Sequence, residues 1–301
     1  MSDIFSLSFS NSHIKIAHLV QNNDQEELVS LNGYDYPFDF KFDRLFESEQ
    51  IKTLGNIINQ QRDRAGIENL SIMVSLPLNY ALQKKIALPN DVEQSVINEQ
   101  VEWELSHYLP GKLTDFKVIM TESSFDFGGY KEVLFICIKK DLIKNISILA
   151  QICNGVLNKL VVENTALENY INRRKIINPE RNQILFNIDI LQFISHLYFS
   201  GKYYNSYSEN INPLKTNSFE EKIIKLSKEQ YLTIKNLNEQ LPFGKGKELE
   251  IFVYGQAFTD ALLDKLRNNF SCTVEKFDST GYSNLGEIEI AGYVEALGTC
   301  C

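Results

Sequence analysis

The chain has 301 residues, 44% of them hydrophobic and 23% charged, with a formal net charge of −9. That is enough apolar material for one large core or two moderate ones, and the composition argues against disorder. The negative balance, with basic runs no denser than Arg173-Arg174-Lys175 and Lys139-Lys140, argues against a nucleic-acid partner, and no window reaches the roughly 20 apolar residues of a bilayer span.

The first segment alternates Phe5, Leu7 and Phe9 with Ser6, Ser8 and Ser10, which predicts a half-buried strand. Asn11-Ser12 supplies a turn, and Ile14, Ile16 and Val20 continue the period on a return strand, so the chain opens on a β-hairpin. A helix is predicted from Glu49 to Ala65, with Gly66 as its C-cap, and then a buried strand from Leu70 to Leu76 stopped by Pro77. Lys85 to Leu88 reads as short and extended. Asn90 with Glu93 reads as the cap of a helix carrying Val92, Val96, Ile97, Val101, Trp103, Leu105 and Tyr108, ended by Pro110. Strands at Phe116–Thr121 and Glu132–Ile138 follow, with a turn at Asp126–Gly129. Next come a helix capped by Asp141, a strand near Leu160–Val162 and a helix at Thr165–Arg173.

The polar stretch Asn178-Pro179-Glu180-Arg181-Asn182 reads as a boundary. Beyond it the pattern restarts: strands at Ile184–Ile190 and Phe193–Ser200, a turn at Gly201, a helix at Phe219–Leu241, a strand at Leu249–Tyr254, a helix at Thr259–Asn268 and a strand at Thr273–Phe277. A last helix is predicted from about Leu285 to Leu297. Two halves that both open on a hairpin and continue into helix and strand units suggest a duplicated α/β domain.

The five cysteines (Cys137, Cys153, Cys272, Cys300 and Cys301) form no CxxC pair, so buried thiols in a reducing compartment are expected rather than a disulfide or zinc framework. With no basic segment leading into an apolar stretch at the N-terminus, a soluble intracellular protein is expected. His13, His18, His107 and His196 have no metal-binding spacing, and Gly244-Lys245-Gly246-Lys247 lacks the spacing and the preceding strand of a phosphate loop. No catalytic residue and no metal site is therefore expected.

One stretch is distinctive: Ile86-Ala87-Leu88-Pro89, then Glu102-Trp103-Glu104, then Tyr108-Leu109-Pro110, then Thr114 to Met120. It resembles the PilM family, the actin-like inner components of type IV pilus machines. Leu7–Lys15 and Ile184–Gly201 look like the two phosphate hairpins of actin-like ATPases, and Ile251–Leu266 looks like the adenosine-side strand, turn and helix. The resemblance implies an α/β, actin-like (ribonuclease H-like) duplicated fold with two lobes. The first is expected over 1–178, with an inserted subdomain at about 80–130, and the second over 179–301, its C-terminal helix packing back. It also implies a scaffold at the cytoplasmic face of the inner membrane. Its partner would be a single-span PilN-like protein bound through its cytoplasmic tail, with self-association as a further possibility.

An actin-like nucleotide site needs an Asp to hold magnesium-bound water and a Gly that admits phosphate to the backbone. Here the family's Asp-Ile-Gly pattern reads Ser8-Phe9-Ser10 in the first hairpin and Asn187-Ile188-Asp189 in the second. A carboxylate about 4 Å from a phosphate charge is unfavourable by about 1 kcal/mol in water and about 4 kcal/mol in a surface cleft. The adenosine turn reads Gly255-Gln256-Ala257, and a Gln at a left-handed position would add both strain and bulk. Ser8, Ser10, Lys15, Asn187, Asp189, Gly255 and Gln256 thus outline a degenerate cofactor cleft, with Lys15 either touching a phosphate or facing solvent as an ordinary strand lysine. No cofactor is expected; the alternative is an active ATPase or small-molecule kinase binding Mg-ATP between the lobes. Glu102, Trp103 and Tyr108 are candidates for partner binding, although the default role of a sole tryptophan on an amphipathic helix is packing.

Overall fold

A computed structural model describes residues 2–10, 13–22, 25–36, 46–90, 93–211, 219–240, 245–277 and 292–301. In chain order the elements are β1 (Ser2–Phe9), β2 (His13–Asn22), β3 (Gln25–Asp35), α1 (Ser48–Ala65), β4 (Leu70–Leu76), β5 (Ala81–Pro89) and α2 (Gln94–Tyr108). Then come β6 (Phe116–Phe127), β7 (Tyr130–Lys139), α3 (Lys140–Ile152), β8 (Gly155–Val162) and α4 (Glu163–Arg174). The remainder comprises β9 (Asn182–Ile188), β10 (Gln192–Phe199), β11 (Lys202–Asn210), α5 (Phe219–Gln240), β12 (Leu249–Tyr254), α6 (Asp260–Arg267), β13 (Thr273–Lys276) and α7 (Val294–Cys300). The predicted segment 285–291 lies outside the described residues, as do the turn residues Asn11 and Ser12, the helix residue Val92 and Gly244.

The chain divides into two compact units that do not follow its two halves. Unit 1 holds residues 1–40, 73–75 and 159–301; unit 2 holds 41–72 and 76–158.

Unit 1 carries the duplication. One sheet runs in the order β3-β2-β1-β4-β8, with β4 and β8 entering the unit through residues 73–75 and 159–162; the other runs β11-β10-β9-β12-β13. In the second sheet β10 is antiparallel to β9 and β11, while β12 runs parallel to both β9 and β13. Each hairpin thus extends into a third strand (β3 and β11) that lies beyond the elements the sequence predicts. Leu167, Tyr170 and Ile171 of α4 and Val294, Ala296 and Leu297 of α7 share one core with Ile4, Ala17 and Leu19 of the first sheet and Leu185, Tyr198, Phe252 and Tyr254 of the second. Gly298 allows α4 and α7 to touch: a Cβ there would stand within 2 Å of the Ala166 carbonyl oxygen (1.9 Å).

This packing corrects the reading of β1 as half-buried. Its serine face is also covered, Ser6 being fully buried and its hydroxyl donating to the Ala296 carbonyl of α7. Small hydroxyl side chains leave room for a helix while satisfying their own hydrogen bonds, so alternation here marks close approach rather than exposure to water.

Unit 2 contains a three-stranded antiparallel sheet, β5-β7-β6, covered on one face by α2. Ile97, Leu105 and Leu109 pack on Ile86, Leu88, Phe116, Val133, Phe135 and Cys137, with Val101 beside them. Gly128 and Gly129, at φ +56° and +98°, make the turn between β6 and β7. Helices α1 and α3 pack together at Gly55, where a Cβ would lie 2.6 Å from Ile152. Gly66 caps α1 in the left-handed conformation, as its position predicts. Two other predicted caps do not form: α2 begins after Glu93 and α3 after Lys139, neither with a side-chain cap, and Asp141 sits inside the first turn of α3, where a carboxylate favours the helix dipole. In unit 1 the Thr259 hydroxyl does cap α6, accepting from the Leu262 amide at 3.2 Å. Among the described residues no helix is long and apolar enough to cross a membrane.

Candidate functional sites

The residues expected to outline a cofactor cleft lie within unit 1, where the two hairpins converge. In the first, Ser8 pairs across the ladder with Lys15, and Ser10 closes the turn by bonding His13, Oγ to Nδ1 at 3.0 Å. Tyr36 donates to the Ser10 carbonyl at 3.2 Å. In the second hairpin, the Asp189 carboxylate accepts from the Ile190 amide at 2.7 Å, and its other oxygen lies 3.9 Å from His13 Nε2. Lys15 is only 5% exposed, which overturns the solvent-facing alternative. Its charge acts on Glu295 and His13.

Three buried residues complete the site. Asn187 Nδ2 donates to Glu295 Oε1 at 2.9 Å and to Glu163 Oε1 at 3.4 Å, so one amide bridges two carboxylates from α7 and α4. Burial, reinforced by Asp189, holds Glu295 above the usual carboxylate range, against the pull of Lys15. Burial and the Lys15 charge press His13 down to about 4, against Asp189 and Asp35, so the imidazole is neutral near pH 7. An aspartate at 187 would set a third carboxylate against two others; asparagine supplies the donor that the pair requires.

Gly255 fixes the third element. At φ +114° it lies so close to the second hairpin that a Cβ would meet the Ile188 carbonyl oxygen at 2.4 Å and Asn187 Oδ1 at 2.6 Å. Asn187 Oδ1 is buried there without a hydrogen-bond partner. The left-handed position belongs to Gly255 alone, because no positive φ falls on Gln256, which is exposed; the strain expected of that glutamine is absent.

The two hairpin ends and the Gly255 turn are thus brought together, with Asp189, Glu163, Glu295 and Asn187 buried among them. Three carboxyl groups face one lysine, and a polyphosphate would add negative charge to an already acidic, desolvated space. In the sequence Glu163 only ends the apolar run Leu160-Val161-Val162, and Glu295 is a single acid inside Val294-Glu295-Ala296. That signal marks a buried acid without saying where it points. No group of three or more His, Cys, Asp or Glu side chains among the described residues has a metal-binding arrangement.

The second candidate site lies in unit 2. A pocket of about 490 Å³ is lined by Phe46, Tyr80, Leu82, Pro110, Phe116 and Leu142, with Glu47, Asn79, Lys139 and Asn145 as its polar lining and Cys137 and Ala81 on the sheet. Phe46 meets Tyr80 edge to face at 5.3 Å, and Asn145 anchors the Phe46 carbonyl at 3.0 Å, so this wall is tied to α3. Burial pushes the Cys137 thiol up to about 11, leaving it protonated at neutral pH. These residues come from five separate segments and share no periodicity, so the sequence does not reveal them.

The partner residues expected on α2 do not line one groove. Tyr108, two residues before pocket-lining Pro110, lies under Lys84, whose ammonium is 3.8 Å from the ring centroid. Trp103 is five positions earlier, about 140° away around the helix, and 62% exposed. Packing as its default role is therefore corrected: the face towards the sheet is taken by Ile97, Val101 and Leu105, while Trp103 lies against the His107 ring, centroids 4.5 Å apart. Glu102 is exposed on the same outer side.

Neither a protein-family model nor any curated protein matches the sequence. Solved structures do match along nearly the whole chain. A PilM-PilN type IV pilus biogenesis complex aligns over 98% of this chain and 97% of that one, with TM-score 0.71 and 13% identity. A Bacteroides thetaiotaomicron protein of actin-like ATPase fold and unknown function aligns over 99% and 96%, with TM-score 0.55 and 13% identity. The cytoplasmic domain of EpsL, an inner-membrane component of the Vibrio cholerae type II secretion system, aligns over 99% and 94%, with TM-score 0.50 and 9% identity. The chain therefore has the actin-like ATPase fold, as the sequence resemblance implies.

Proposed function

We propose that this protein is a non-catalytic actin-like scaffold of a type IV pilus or type II secretion-like assembly. In this reading it works in the cytoplasm, held at the inner membrane through the cytoplasmic tail of a single-span, PilN-like partner. The observation that carries the reading is the pocket of unit 2: about 490 Å³, walled by Phe46, Tyr80, Leu82, Phe116 and Leu142, with one cation and one carboxylate, Lys139 and Glu47, in its lining. Such a pocket suits two or three apolar anchors of a short amphipathic peptide. Tyr108 and Lys84 would lie on the approach to it, while Glu102 and Trp103 remain available for a different contact.

The fold supports this reading through its likeness to the pilus and secretion proteins. The buried acids support the absence of a cofactor, because Asp189, Glu163 and Glu295 would repel phosphate charge brought among them. A calorimetric titration tests both halves. The cytoplasmic peptide of a single-span protein encoded beside this chain is expected to bind, and Leu142→Glu to abolish binding without unfolding the protein. Magnesium-ATP is expected to give no heat; micromolar affinity would restore the ATPase or kinase alternative.

A further inference from the structure

We propose that the protein self-associates through a head-to-tail contact in which the outer face of α2 in one copy lies along the outer face of α5 in a second copy. On α2, Val96, Glu99, Trp103 and His107 follow at intervals of three and four residues, so they share one side of the helix, opposite Ile97, Val101 and Leu105. Val96 and Trp103 are 49% and 62% exposed. Glu99 lies among them and Glu102 beside them, both exposed, and α2 carries no lysine or arginine. The face carries two exposed apolar side chains, Val96 and Trp103, and the only carboxylate or ammonium groups on the helix are carboxylates.

The complementary face lies on α5, whose inner side is formed by Ile223, Leu226, Ser227 and Ile234. On the opposite side Leu232 is 56% exposed, and Lys225, Lys228 and Lys235 surround it at helical spacing. Glu229, 3.9 Å from Lys225, is the one acid within these turns, so three ammonium groups outnumber one carboxylate. Leu232 among lysines matches Trp103 among glutamates in both apolar content and sign of charge, and an indole face attracts ammonium groups directly. The charges select this pairing over α2 against α2 or α5 against α5, which would each oppose like charges. Because the two faces are different surfaces of one chain, the contact is heterologous: it closes into a ring or continues as an open row.

The test is sedimentation velocity on the full chain over a concentration series, at low and high salt. Trp103, the sole tryptophan, is a built-in reporter through its emission. The expected result is concentration-dependent association that weakens with salt and shifts Trp103 emission to the blue. Glu99→Lys with Glu102→Lys, and separately Lys225→Glu with Lys228→Glu, should each weaken association by about tenfold, since two surface attractions become repulsions. An equimolar mixture of the two double variants should associate again, because each reversed face then meets a complementary one. Monomers at every concentration, association indifferent to both double variants, or a mixture that stays apart would each overturn the proposal.

Discussion

The two units place their unusual side chains in opposite ways. Unit 1 turns polar groups inward: Lys15, His13, Asn187, Asp189, Glu163 and Glu295 are all buried where its hairpins converge. Unit 2 turns apolar groups outward: it carries an apolar pocket and leaves Val96, Trp103 and Tyr108 about half exposed or more. Buried polar groups persist when they satisfy one another, and exposed aromatics are stable only as long as nothing better covers them. The first arrangement suits a closed interior and the second suits a surface with a partner. The contrast teaches that in this fold the buried polar cluster and the apolar pocket lie in different units.

The harshest way to break the contrast is to restore a carboxylate in unit 1. Asn187→Asp removes the donor that bridges Glu163 and Glu295 and adds a fourth buried acid to the site. It should lower stability by about 3 kcal/mol in a chemical denaturation at pH 7. The loss should shrink as the pH falls and the carboxyls are neutralised.

Next in size is Gly298→Ala. Its methyl would collide with the Ala166 carbonyl and push α7 from α4, for a loss of about 2 kcal/mol readable as a lower midpoint in the same experiment.

Acid should act on unit 1 through its buried histidines. His13 is held down to about 4 and the fully buried His196 to about 3, both by burial first, whereas an unfolded histidine titrates near 6.5. Between those values the unfolded chain binds more protons, so stability should fall as the pH drops from about 6.5 towards 4. Melting temperatures across that range check the slope, which His196→Gln should flatten.

The smallest effect is expected where the contrast predicts indifference. Trp103→Ala should change stability by no more than about 0.5 kcal/mol, because its side chain is largely in water. A drop several times larger would return Trp103 to a packing role.

Much of the fold was legible in the chain. The hairpins, α1 with its Gly66 cap, β12 from Leu249 to Tyr254 and the second-half pattern follow from periodicity and turn residues, which are local properties. The third strands β3 and β11 were missed because they lack clean alternation: each is interrupted by a register shift against its neighbour, between Leu28 and Ser30 in one and between Tyr203 and Asn205 in the other. Ser8, Ser10, Lys15, Asn187, Asp189 and Gly255 were singled out through the resemblance to actin-like hairpins and turn, and the structure places them in one region of unit 1.

The sequence by itself determined the two hairpins, most of the elements that follow them and the absence of the usual Asp-and-Gly pattern from both. Only the tertiary structure decided which acids are buried there, because Glu163 and Glu295 reach Asn187 across 24 and 108 residues of chain. It also decided that Ser6 lies under a helix, that Lys15 is buried and that Trp103 is exposed. Which face of an amphipathic element is covered depends on how many neighbours compete to cover it. That number is fixed by contacts remote in the chain, where no local spacing records it.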